Sequence, residues 1–190
     1  MQLVSLAEFK QVSSGGEYRL KEACAVYDED NVVVAQGIYA YWAALVGALL
    51  GGPIYGVVAS SKFAGTVTQD YNLSGVLGSL QGLVGAHAPS TAVLCAAAGY
   101  GWVQTLGDNV VALTTGGSVT AGQLLIGSST DGTWAGVTAT GISVAATGGT
   151  VYSAGSHLVG GFSWIADSSA AKIAAYGAWI NSVFAHSVFI

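Results

Sequence analysis

Beyond its first thirty residues this chain almost stops carrying charge. Nine of its fifteen charged residues (Glu8, Lys10, Glu17, Arg19, Lys21, Glu22, Asp28, Glu29 and Asp30) fall within residues 1–30, and only Asp108, Asp131, Asp167 and Lys172 occur after residue 100. A soluble domain of ordinary composition is about one quarter charged, against 8% here. Hydroxyl groups and buried surface must replace charge: 52% of the residues are hydrophobic, 28 are glycine and 32 are serine or threonine. Disordered chains have the opposite bias, poor in apolar residues and rich in charge. The glycines follow no three-residue period, which excludes a collagen-like helix. With 190 residues the chain is long enough to bury a substantial core.

Charge and texture divide the chain into a charged N-terminal arm (1–30), a mixed α/β apolar region (31–98) and a β-rich domain (99–190) packed as one unit with the middle region. In the arm, Ser5-Leu6-Ala7-Glu8 matches a capping box, which predicts a short helix through Phe9 and Lys10 that ends at Gly15-Gly16. From Tyr18 onward the pattern is extended. The glycine pair reads as a hinge, so the arm is expected to reach a neighbouring subunit and to be removable (residues 1–16) without unfolding the body.

Asn31 to Ser61 is uncharged over 31 residues and contains the apolar run Gly37 to Leu50. The expectation is a buried helix over this run followed by a strand, within one subunit or between subunits. A membrane anchor over 37–59 is the alternative, since a span needs about 20 apolar residues. Against it, Gly51-Gly52-Pro53 interrupts the uncharged stretch and only Lys62 marks its far end, without the basic cluster of a cytoplasmic flank. Leu73, Val76, Leu77, Leu80, Leu83 and Val84 fall on one helical face, which predicts a second helix weakened by Gly75, Gly78 and Gly82.

From about Thr91 short β-branched runs alternate with turn residues. Strands are expected at 101–106, 110–113, 123–126, 133–137, 141–144, 151–152 and 158–165, with turns at 107–109, 116–117, 131–132 and 148–149. Residues 170–190 are ambiguous, with Ile173, Tyr176, Trp179 and Ile180 at helical spacing; strands with a short helical piece are preferred. The expected class is mainly β, a small antiparallel barrel or sandwich in the C-terminal half with a few helices in the N-terminal half, or else α+β.

The stretch Gly101-Trp102-Val103-Gln104-Thr105-Leu106-Gly107, then Val119-Thr120-Ala121-Gly122-Gln123-Leu124-Leu125, then Gly132 and Leu158-Val159-Gly160-Gly161-Phe162, resembles the β-rich domain of tailed-phage head structural and decoration proteins. The likeness covers about residues 99–170 and rests on glycine-spaced turns. The chain departs from the pattern at Gln123, where an aspartate is usual, and at Phe162, where an alanine is usual. The resemblance implies a non-enzymatic virion component that binds the major capsid protein on the capsid surface as a homo-oligomer, after assembly in the host cytoplasm. A tail or fibre subunit is the neighbouring reading.

Residue spacing does not point to catalysis. His87, His157 and His186 lie far apart and form no HExxH pair. Gly99-Tyr100-Gly101 opens like a dinucleotide loop, but Gln104 stands at the third glycine and a strand is expected where a helix belongs. No GxxxxGK or GxSxG motif occurs. Paired-carboxylate hydrolysis would require Asp70, Asp108, Asp131 or Asp167 to meet in the fold. Asp28-Glu29-Asp30 lacks the glycine of a calcium loop, Val33 holding that position, and reads as a solvated turn. No catalytic, cofactor-binding or metal-binding residue is therefore assigned, and no cofactor is expected.

Cys24 and Cys95 sit among small apolar neighbours and read as buried free thiols. Asn72-Leu73-Ser74 is a sequon without other signs of a secreted setting. Glu8 and Lys10 interrupt what would be the apolar core of a signal peptide, so export is not expected. A net charge of −5 opposes direct nucleic-acid binding. Five Trp, nine Tyr and five Phe supply aromatic anchors of the kind found in assembly interfaces, although any single Trp is expected in the core.

Overall fold

Two strands of 11 residues each organise the molecule. The structure is a computed structural model that describes residues 1–43, 52–57, 66–68, 80–87, 98–109, 112–114, 119–128, 130, 132–137, 159–168, 172–173 and 176–181. In chain order the strands are β1 (Gln2–Ser5), β2 (Val12–Ser13), β3 (Ala23–Tyr27), β4 (Val33–Ala43), β5 (Pro53–Val57), β6 (Thr66–Thr68) and β7 (Leu80–His87). They continue as β8 (Ala98–Asp108), β9 (Ala112–Leu113), β10 (Leu124–Gly127), β11 (Trp134–Val137), β12 (Val159–Ser163), β13 (Lys172–Ile173) and β14 (Ala178–Asn181). One helix of four residues, α1 (Leu6–Phe9), lies between β1 and β2.

The long strands β4 and β8 pair antiparallel from Ala35↔Gly107 to Ala43↔Ala98. The far edge of β4 carries β3 and then, at Tyr41 and Trp42, parallel β6. The far edge of β8 is shared in series by β2 at Tyr100–Gly101, β7 at Val103–Gln104 and β14 at Leu106–Asp108. Each of these takes only a short piece of β8, so the sheet branches. The result is mainly β, one large mixed sheet that is not closed into a barrel. The barrel or sandwich expected in the C-terminal half is thus corrected to part of an open sheet; strands β8, β14, β12, β10 and β11 do pair antiparallel, and the parallel pairs β1–β3 and β4–β6 of the N-terminal half make the sheet as a whole mixed.

Strand β4 also corrects the helix expected from Gly37. Residues 37–43 are extended between neighbours on both edges. Ile38, Tyr39 and Ala40 are all buried, and a strand covered on both faces reads as a continuous apolar run, which periodicity alone cannot separate from a buried helix. The same holds for the end of the second expected helix: residues 80–84 belong to β7, which pairs with β5. The remainder of both expected helices, 44–50 and 73–79, lies outside the described residues, as do the expected strands 141–144 and 151–152. Among the described residues no helix is long and apolar enough to cross a membrane.

The charged N-terminal segment is built into this sheet. β1 pairs parallel with β3, placing Val4 beside Val26. Ser5 caps α1, its hydroxyl accepting the Glu8 amide N–H at 3.2 Å, which satisfies a helix donor that would otherwise lack a partner. α1 stops at Phe9, well before Gly15-Gly16. It turns Phe9 into a core with Val4, Cys24, Val26, Ala35, Tyr39 and Trp102. Gly37 is required there: a Cβ at this position would stand 2.7 Å from both Phe9 Cε2 and the Val103 carbonyl oxygen.

A second core forms in the C-terminal half from Ala112, Val119, Leu125, Trp134, Ile173, Ala178 and Ile180. β10 pairs antiparallel with β11 across the expected turn, where Gly132 takes φ +67°, and with β12 on its other side. Residues 172–173 and 178–181 are strands, joined in part by a turn at Tyr176-Gly177, with no helix among the described residues of that segment. The two halves touch where Gly52 passes Gly132, a Cβ on Gly52 lying 1.7 Å from the Gly132 carbonyl oxygen.

Candidate functional site

The most distinctive surface lies at the end of the sheet where the β3–β4 turn, the end of β8 and the start of β14 come together. The turn is shaped by Asp28, whose Oδ1 accepts the N–H groups of Asp30 at 3.0 Å and Val32 at 2.9 Å. This local competition with strand pairing is what aspartate does in turns. The backbone closes it with Asp28 N–H donating to Val32 O at 3.0 Å and Asn31 in the left-handed region at φ +60°. Glu29 and Asp30 are left exposed at the tip, followed by Val32 and Val33, each 55% exposed.

Beside this hairpin, Ala35 pairs with Gly107, which takes φ +109°. Next along β8, Asp108 pairs with Trp179. Asn109 then pins β14 and its preceding turn. Its Oδ1 accepts the Ala178 N–H at 2.5 Å, its N–H donates to Ala178 O at 3.0 Å, and its carbonyl accepts the Tyr176 N–H at 2.8 Å. Asn109 Nδ2 is buried with no partner among the described residues. These contacts hold Tyr176 at φ +62°, uncommon for a bulky side chain. Burial raises the Tyr176 phenol pKa, and Asp28, Asp108, Glu29 and Asp30 add repulsion of the phenolate.

Gly177 extends the surface: its carbonyl accepts the N–H groups of Trp164 at 2.8 Å and Ile165 at 3.3 Å. Trp164 is 54% exposed, and Ile165 and Tyr176 are each 43% exposed. Phe162 supports Trp164 edge to face with ring centroids 4.4 Å apart. Trp164 therefore departs from the expectation that a tryptophan fills the core, whereas Trp102 and Trp134 meet it.

Of the concave features among the described residues, one lies away from this surface and another borders its acidic turn. Tyr18, Tyr39, Tyr100 and Trp102, with Glu8 and Glu17, surround about 40 Å³, room for one or two waters against the several hundred Å³ of a typical ligand pocket. Within that cluster Tyr18 donates to the Glu8 carboxylate and packs against Trp102 with the rings tilted by 52° and their centroids 4.9 Å apart. The Tyr39 hydroxyl accepts the Glu17 N–H at 3.1 Å. A more open groove of about 330 Å³ runs between α1 and the acidic hairpin, past Lys10, Tyr27, Asp28 and Glu29.

The residues weighed for chemistry are dispersed. The backbone of His87 pairs with Val103 in β7, while His157 and His186 lie outside the described residues, as do Asp70, Asp131 and Cys95. Asp167 accepts the Thr114 hydroxyl at 2.7 Å. Gly99-Tyr100-Gly101 lies in β8, paired with Trp42, Tyr41 and Ala40, and opens no helix. Cys24 is a buried free thiol, its pKa pushed up to about 12 by burial. Among the described residues no group of three or more His, Cys, Asp or Glu is placed to hold a metal ion. Comparison of the chain with family models, curated proteins and solved structures found no match.

Proposed function

We propose that this chain is a non-enzymatic virion structural protein, a capsid decoration or cement protein that binds the lattice of the major capsid protein as a homo-oligomer and stabilises the head. The observation that carries the reading is that exposed Trp164, Ile165, Tyr176, Val32 and Val33 sit on the segments brought together at one end of the sheet. In a chain that is 8% charged, such a grouping is an attachment surface: apolar residues gathered at one place mark interaction sites, while scattered ones do not. Interfaces favour exposed aromatic anchors backed by rigid structure, and the sheet gives Trp164 that backing. The likeness of residues 99–170 to phage head and decoration proteins supports the same reading, and the net charge of −5 argues against direct nucleic-acid contact.

The test is light scattering after size-exclusion chromatography on detergent-free protein, followed by co-sedimentation with undecorated capsid shells. The reading expects a defined oligomer, or a monomer that occupies shells at fixed stoichiometry. Recovery from the membrane fraction alone, or failure to co-sediment with shells, overturns it.

A further inference from the structure

We propose that the partner docked at this end of the sheet is a protein segment carrying lysine or arginine side chains set among apolar ones, an inference that rests on the attachment-surface reading and deepens it. Five of the eight exposed large hydrophobics among the described residues lie on the segments whose backbones meet here: Val32 and Val33 close the acidic turn, Tyr176 is bonded through its N–H to the Asn109 carbonyl, and Trp164 and Ile165 are bonded through theirs to the Gly177 carbonyl. The carboxylates around them are Asp28, Glu29 and Asp30 from the β3–β4 turn and Asp108 from the end of β8, with Asp108 next to the residue that holds Tyr176. The surface is thus aromatic and acidic together. Aromatic faces take ammonium and guanidinium groups at their centres, and a negative rim steers a positive partner while rejecting a negative one.

The occupant is unlike this face itself. Two copies meeting through the same surface would bring eight carboxylates together, and like-charge juxtaposition is strongly disfavoured. Nor is the chain a rich source of cations, since Lys10, Arg19, Lys21, Lys62 and Lys172 are its only basic residues. A foreign segment with interleaved basic and apolar side chains satisfies both halves of the surface.

The experiment measures fluorescence anisotropy of labelled peptides against the full chain: one of alternating lysine and leucine, and one of alternating glutamate and leucine. The lysine–leucine peptide is expected to bind, more weakly as salt rises, and the glutamate–leucine peptide not to bind. Trp164→Ala is expected to weaken binding by about threefold to tenfold, the scale of one cation–aromatic contact plus lost apolar area. Ile165→Ser serves as a second apolar variant, and Glu29→Gln with Asp30→Asn is expected to flatten the salt dependence.

Equal binding of both peptides overturns the inference, as does binding unaffected by Trp164→Ala and Ile165→Ser. A wild-type oligomer that Trp164→Ala dissolves, without peptide binding, assigns the surface to a second copy and also overturns it. Shell co-sedimentation separates the two proposals: peptide binding without shell binding sinks the decoration reading alone, and shell binding that survives Trp164→Ala, with no peptide bound, sinks this one alone.

Discussion

The Tyr18 hydroxyl donates to the carboxylate of Glu8, tying the loop after β2 to the four-residue helix that carries Phe9 into the core. The bond joins two parts of what the charge pattern marks as an arm, and makes that arm a lid on the aromatic cluster. Tyr18→Phe is expected to lower unfolding stability by about 1 kcal/mol, the usual net worth of a part-buried hydrogen bond. Chemical denaturation reads this directly; an unchanged midpoint would mean that water replaces the bond without loss.

Phe9 is fully buried against Val4, Val26 and Trp102. Phe9→Ala is expected to cost about 3–5 kcal/mol, and removal of residues 1–16, which takes β1, α1 and β2 together, to abolish the cooperative thermal transition. A truncated protein with a sharp transition and unchanged near-ultraviolet dichroism would show that the sheet closes over the loss. Gly37→Ala is expected to destabilise as well, and combining it with Phe9→Ala should not restore stability, because the Val103 carbonyl remains 2.7 Å from the new Cβ.

Alkali should unfold the protein earlier than its few charges suggest. Burial raises the Cys24 thiol from 9.0 to about 12, and the Glu8 hydrogen bond, with burial, raises the Tyr18 phenol from 10.0 to about 12. Both folded values lie above the unfolded ones, so the unfolded chain loses these protons first. The associated stability is intact below pH 9 and is lost as pH rises through 9 to 12. Denaturant midpoints across that range should fall less steeply in Cys24→Ala, and an equal slope would assign the effect elsewhere.

Buried Gln104 donates through Nε2 to the carbonyls of Gly107 at 3.1 Å and Asp108 at 2.7 Å. Gln104→Leu leaves both carbonyls without that donor and is expected to cost about 1–3 kcal/mol. Because the same carbonyls shape the end of β8, the variant should also weaken partner binding at the neighbouring surface; a stability loss with binding intact would separate the two.

How much of this was readable from the residues depends on range. The Ser5 cap was legible because its partner lies three residues away, and the β10–β11 hairpin because Gly132 marks the turn locally. β4 was not, since its extended state is imposed by β3 and by β8, some 65 residues further on. Leu80, Leu83 and Val84 carry helical spacing, yet pairing with β5 overrides it. The exposed aromatic and acidic end of the sheet had no signature at all. Trp164 and Ile165 follow a strand and look like core, and only their link to Gly177, thirteen and twelve positions away, turns them outward beside carboxylates drawn from the other half of the chain.

Gly52 and Gly132 face each other with no space for a side chain between their backbones. The crossing works as a rivet between N-terminal and C-terminal halves, and it is made of missing atoms instead of added contacts. During sequence drift neither partner can compensate for the other: a methyl group at Gly52 meets a carbonyl oxygen, which no change of side chain removes. Evolution of the two halves is therefore coupled at this spot, and recombined chains that shift either loop by one residue should lose solubility before they lose secondary structure.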